Sequence, residues 1–181
     1  MADALRIVVI GVGNEFRHDD GVGWAVIARL KEHSIGRSSP GSPLRSSSGD
    51  PFPPGTVLET CDGDPGRLLG LWENADLAIV LDAGHAHPPH PGRVHRLALD
   101  GTRPVQVGTT SSHGLGLGEA VELSRVLGRL PGRLVVYAVE GADGTLGTGL
   151  SAPVAAQVNA LARSVVEEIE RYRSGRPEDV P

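Results

Sequence analysis

The chain has 181 residues, a formal net charge of -5 and a single cysteine. That length suits one domain of ordinary size, and the acidic balance argues against nucleic acid or an anionic membrane surface as the main partner. A lone Cys61 excludes an internal disulfide, the N-terminus does not read as a signal peptide, and no apolar run has the length of a membrane span, so the expected home is a reducing cytoplasm.

The first predicted strand is "RIVVIG" (6–11), followed by a glycine turn and a helical pattern over 21–32. Strand, glycine turn and helix together suggest a dinucleotide phosphate site, in which backbone N–H groups and a helix N-terminus attract an anion. Here Gly11 and Gly13 are present, but Phe16 stands at the third glycine position. Glu15, Asp19 and Asp20 crowd the turn, and no acidic residue follows about 20 positions on to take a ribose. Such a turn suits something cationic. Next comes "HSIGRSSPGSPLRSSSGDPFPPG" (33–55), rich in Ser, Gly and Pro, which reads as a surface insertion loop.

Further along, "TVLET" (56–60), "LAIVLDA" (77–83), "GRVHRLAL" (92–99) and "RLVVYAVE" (133–140) read as strands, and 65–73 and 116–130 as helices. The clearest helix runs from Ser151, a candidate N-cap, and puts Val154, Val158, Leu161, Val165 and Ile169 on one face. A polar tail closes the chain at 174–181. Alternating strands and helices predict one α/β domain over 1–173, a three-layer sandwich with a twisted, mainly parallel five-stranded sheet and helices on both faces. The strand 92–99 is expected to be antiparallel, because no helix separates it from the strand before it.

Ligands of open parallel sheets bind outside the carboxyl ends of the strands. That rule selects "GNEFRHDDG", "CDGD", "LDAG" and the loop "TTSSHGLGLG". Asp82 ends an apolar strand, where a carboxylate is costly unless a cation or donors meet it; a turn cap before Gly84 is the alternative. Asp20 opens a helix and also reads as a first-turn acid. His113 precedes a helix, whose dipole keeps the ring neutral as ligation requires, although surface loops carry such histidines too. Converging, the three form an O,O,N site for a divalent transition metal with open positions. Asp62 and Asp64 flank Gly63, as a turn or as a catalytic acid. Cys61 with His113 is a candidate nucleophile pair, but with nothing nearby to lower the thiol's pKa the preferred reading is a small buried residue at a strand end. "HAHPPH" (85–90) is a His-rich tract of the metal-binding kind, but its Pro spacing fixes no ligand geometry and it reads as a solvated loop, His85 being its member nearest Asp82.

Taken together, "GVGNEFRHDDGVG", "CDGDP", "VLDAG", "SSHGLGL" and "YAVEGAD", in this order and on these elements, resemble the hydrogenase maturation proteases. The resemblance covers nearly the whole chain outside 33–55 and the tail. It implies a cytoplasmic, metal-dependent endopeptidase, of the aspartic type, that removes a C-terminal extension from the large subunit of nickel-iron hydrogenase after nickel insertion. The partner is the large-subunit precursor, with no nucleic acid or membrane and the protease a monomer. Nickel arrives with that precursor, and other divalent metals are expected to occupy the same site in vitro. The family's metal-contacting positions fall on Asp20, Asp82 and His113, with Asp19 and Glu15 as alternatives for the first. Asp62 matches a further acidic position, as a proton carrier or a positioner of the scissile segment, and is the catalytic candidate with Asp82. Val139 stands where some members carry Pro, which leaves Glu140 without a clear role. The rival from another class is a non-catalytic nickel carrier using the same ligands, and a third is a cysteine-dependent hydrolase.

Overall fold

A computed structural model describes residues 5–35, 52–100 and 114–175. Five strands form one sheet: β1 (Ile7–Val12), β2 (Thr56–Cys61), β3 (Leu77–Gly84), β4 (Val94–Asp100) and β5 (Arg133–Glu140), in the spatial order β2-β1-β3-β5-β4. All neighbours are parallel except β4, which runs antiparallel to β5, as its helix-free connection predicts. The helices are α1 (Val22–Ile35), α2 (Pro65–Trp72), α3 (Gly114–Val126), α4 (Ala152–Ala155) and α5 (Val158–Arg173), with a 3-10 turn at His18–Gly21.

Period-two alternation divides the core into two layers. Ile7 and Val9 of β1 and Leu77, Ile79 and Leu81 of β3 pack with α1 and α5, while Val8, Ile10, Ala78 and Val80 pack with α2 and α3. Strands covered on both faces must be apolar at every position, and β1 and β3 are buried throughout. The sheet is thus the floor of a site, its carboxyl edge the only end where loops from β1, β2, β3 and β5 meet.

Three helix boundaries differ from expectation by three residues or more. Residues 33–35, expected in the loop, continue α1: His33 Nδ1 lies 2.9 Å from the Arg29 carbonyl and Ser34 Oγ donates to that of Leu30 at 3.2 Å. Residues 36–51 of that loop lie outside the described residues, as do 176–181 of the tail, while Phe52 near the loop's end is buried in the core. The third helix stops at Val126 rather than 130, because Gly128 enters the left-handed region (φ 65°) and the Arg129 amide turns back to the Ser124 carbonyl. The last helix is not continuous from 151; a tightened turn at Ala156 and Gln157, with the Gln157 amide on Val154, separates α4 from α5.

One buried charge ties the antiparallel edge to the helical layer. Glu168 of α5, 2% exposed, accepts from Arg96 of β4 at 3.0 and 2.9 Å, from Tyr137 Oη at 3.2 Å and from Arg171 at 3.1 Å. Burial alone would raise its carboxyl, but the Arg96 hydrogen bonds and charge outweigh that and hold it below the usual range. Burial, with the Glu168 charge beside it, pushes the Tyr137 phenol up to about 12. Glu168→Ala should cost roughly 2 to 4 kcal/mol, below the full value for a buried pair because both arginines reach solvent. Urea unfolding would read it as a lowered midpoint with an unchanged slope.

Candidate functional site

The turn after β1 is shaped by close backbone approach. A Cβ on Gly11 would lie 2.4 Å from the Gly23 carbonyl oxygen, and one on Gly23 only 2.5 Å from that of Leu81. Helix α1 therefore starts in direct contact with β1 and β3, which only glycine allows. Gly13 has φ 118°, and a Cβ there would meet the Asp20 carbonyl at 2.0 Å. Trp24 Nε1 donates to the Gly13 carbonyl at 2.9 Å and locks the corner.

That corner brings Asp20 toward Asp82. Both carboxylates are 6% exposed. The Asn14 amide donates to Asp20 Oδ2 at 2.9 Å. Asp82 Oδ1 is buried and accepts no hydrogen bond from the described residues. Burial raises the Asp82 carboxyl, the Ala83 amide pulls it back in part, and the Asp20 charge adds to the rise, leaving it at about 7. An acceptor oxygen with no donor, beside a second carboxylate, has the chemistry of a cation site built from hard oxygen donors. Among the described residues no group of three His, Cys, Asp or Glu side chains is placed to hold a metal. His113 lies outside them, immediately before α3, which covers the sheet face shared by Ala78, Val80 and position 82.

The other acids of the turn have different employment. Asp19, 1% exposed, accepts from the amides of Ala142, Asp143 and Ser151 and from Ser151 Oγ, at 2.7 to 3.0 Å. Burial works against its charge, but these hydrogen bonds more than offset that and lower its pKa. Ser151 does flank α4 at the N-cap position, yet it makes no capping bond and serves Asp19 instead. Glu15 is exposed.

After β2, Asp62 is exposed and accepts from the Asp64 amide at 3.3 Å; that bond heads the causes holding its carboxyl below the usual range. Asp62 is therefore a charged group, suited to accepting a hydrogen bond and a weaker base than an ordinary carboxylate. Asp64 caps α2 through the Arg67 amide at 2.8 Å. Cys61 is fully buried and burial pushes its thiol up, the state of a core cysteine and not of a nucleophile.

Glu140, set aside on sequence grounds, has a defined place. It is 2% exposed, accepts from the His90 amide at 2.6 Å and lies 2.7 Å from His95 Nε2. The His95 contact is the main cause of its lowered pKa. It fastens the histidine-rich loop to the end of β5, while His85 of that loop is exposed. The strand register explains the contact and was not legible in the sequence. Antiparallel pairing of β4 with β5 sets His95 opposite Ala138, and hence diagonal to Glu140.

Fold and site together define a doubly covered, mainly parallel α/β protein with paired buried carboxylates at the carboxyl edge of its central strands. A family model for the hydrogenase maturation proteases matches residues 63–168. The hydrogenase 2 maturation protease of Escherichia coli (strain K12) is 27% identical over 177 residues, spanning 92% of this chain and 97% of its own. Among solved structures, the E. coli hydrogenase maturating endopeptidase HybD superposes with a TM-score of 0.67 at 24% identity, covering 93% of this chain and 94% of that one. The [NiFe] hydrogenase maturation protease HybD of Thermococcus kodakarensis gives 0.63 at 22% identity, covering 91% and 99%; these likenesses carry the fold. The chain belongs to the hydrogenase maturation protease family. No described helix is long and apolar enough to cross a membrane.

Proposed function

We propose that this protein is an endopeptidase that removes the C-terminal extension of a [NiFe] hydrogenase large-subunit precursor once nickel has been inserted, acting as a monomer in the cytoplasm. The observation that carries the reading is the Asp20 and Asp82 pair, buried at the carboxyl edge of β1 and β3 with an acceptor oxygen that no described residue satisfies. Asp20, Asp82 and His113 engage the nickel that the precursor presents. The metal is part of the substrate, so an unloaded precursor lacks the centre that organises the cut. Binding fixes the scissile peptide near the carboxylates, and positioning of this kind is a large part of catalysis. Asp82 ionises as it meets the cation, and Asp62, already charged, positions the segment by accepting hydrogen bonds from its N–H groups.

Intact-mass analysis of the cognate precursor, nickel-loaded and nickel-free, tests this. Loss of a C-terminal peptide from the loaded sample alone is the expected result. If both samples keep their mass with the loading verified, the endopeptidase reading fails and a nickel-carrier role replaces it.

A further inference from the structure

The site does not account for the open cleft beside it. A cavity of about 470 Å³ lies along the outer side of α1, within the size range of ligand-binding clefts. One end is formed by Glu15 and His18 of the turn that carries Asp20, and Lys31 belongs to the same lining, nine residues into the helix. Trp24, Ile27 and Leu150 supply the apolar part of the lining, and Ala25 and Ala28 keep the helix surface low. Thr60 of β2, two residues before Asp62, also lines it. The cleft therefore lies beside the ends of β1 and β2, next to the segments that carry Asp20 and Asp62, although neither acid lines it.

We propose that this cleft holds the first residues of the precursor's extension, running from the scissile bond toward Lys31; this rests on the processing function above. The direction follows from charge and chain polarity. The extension is C-terminal to the cut, so its new amino group is released at the site end, where Glu15 stands, and its carboxyl-ward portion lies toward Lys31. From Val22 to Lys31 the helix spans about 14 Å, the length of roughly four residues of extended chain. The cleft thus reads about four residues beyond the cut, with one apolar side chain against Trp24.

Ala28 is exposed and lies one helical turn beyond Trp24, so Ala28→Phe fills the cleft without disturbing the core. On nickel-loaded precursor this variant should raise KM about ten-fold with kcat within about two-fold of wild type, whereas Glu32→Ala elsewhere on α1 leaves both unchanged. Trimming the extension to four residues should preserve KM, and trimming to one should raise it by a similar factor. An independent readout is tryptophan emission on adding a synthetic peptide of the extension sequence. Trp24 is half-buried at the cleft and Trp72 is fully buried, so the wild-type emission shifts and that of Ala28→Phe does not. Wild-type KM in Ala28→Phe, together with indifference to extension length, overturns the cleft assignment while leaving the processing function intact. Failure of the wild-type protein to cut loaded precursor overturns both.

Discussion

Asp82→Asn is expected to stop precursor processing and, at pH 8, to raise the melting temperature of the metal-free protein by several degrees. Both effects have one cause. Buried beside Asp20, the Asp82 carboxyl titrates at about 7 against an ordinary 3.8. Between those values the folded state holds a proton that the unfolded chain has released, so stability falls as pH rises through that window. By pH 8 the folded protein carries a buried anion with an unsatisfied oxygen. Removing the charge returns on the order of 3 kcal/mol, and an asparagine amide can donate toward Asp20. The advantage shrinks as pH falls and is gone below about pH 3, where wild type is protonated in both states. Calorimetric melts of both proteins from pH 5 to 8 give the check. Parallel pH profiles would refute the burial argument, and normal processing by the variant would remove Asp82 from the mechanism. Such a trade of stability against activity is what a charge kept for a ligand predicts.

Asp19→Ala should destabilise the fold by roughly 3 to 5 kcal/mol at neutral pH, with the opposite pH dependence. Its carboxylate is satisfied by three amides and one hydroxyl from the 142–151 segment. Alanine leaves those donors without their anion. The folded pKa lies below the ordinary value, so this contribution is complete above about pH 4 and is lost as pH falls through the folded pKa. Urea unfolding at pH 7 should therefore separate wild type from variant, and the gap should narrow only as the pH is taken down through the lowered folded pKa. Hydrogen exchange at the amides of Ala142, Asp143 and Ser151 locates the loss. Protection unchanged there would mean that the segment is held by the backbone bonds from Asp19 and His18 instead.

Two adjacent acids in "HDD" thus have opposite electrostatic fates, and nothing in the dipeptide distinguishes them. Asp19 meets donors more than 120 residues away along the chain, and Asp20 meets Asp82, sixty-two positions on. The sequence pattern left Asp19, Asp20 and Glu15 as alternatives because local spacing measures only which residues share a turn. Ser151 shows the same limit. Its position predicts a cap, and it stands at that position, but a distant carboxylate takes its hydroxyl.

What the sequence by itself determined is what depends on short range. The apolar runs at 6–11 and 77–83 demand strands covered on both faces, alternation with helical periods demands a parallel sheet, and a connection without a helix demands an antiparallel β4. With the carboxyl-edge rule these were enough to point to Asp82 and to the acidic turn of Glu15, Asp19 and Asp20, without choosing among the three. Tertiary structure alone decided which acid carries a satisfied charge and which a costly one, that Cys61 is sealed in the core, that Glu140 anchors the histidine loop, and where a cleft runs beside α1. Periodicity is a property of neighbours along the chain, whereas burial and hydrogen-bond satisfaction are set by what folding brings together.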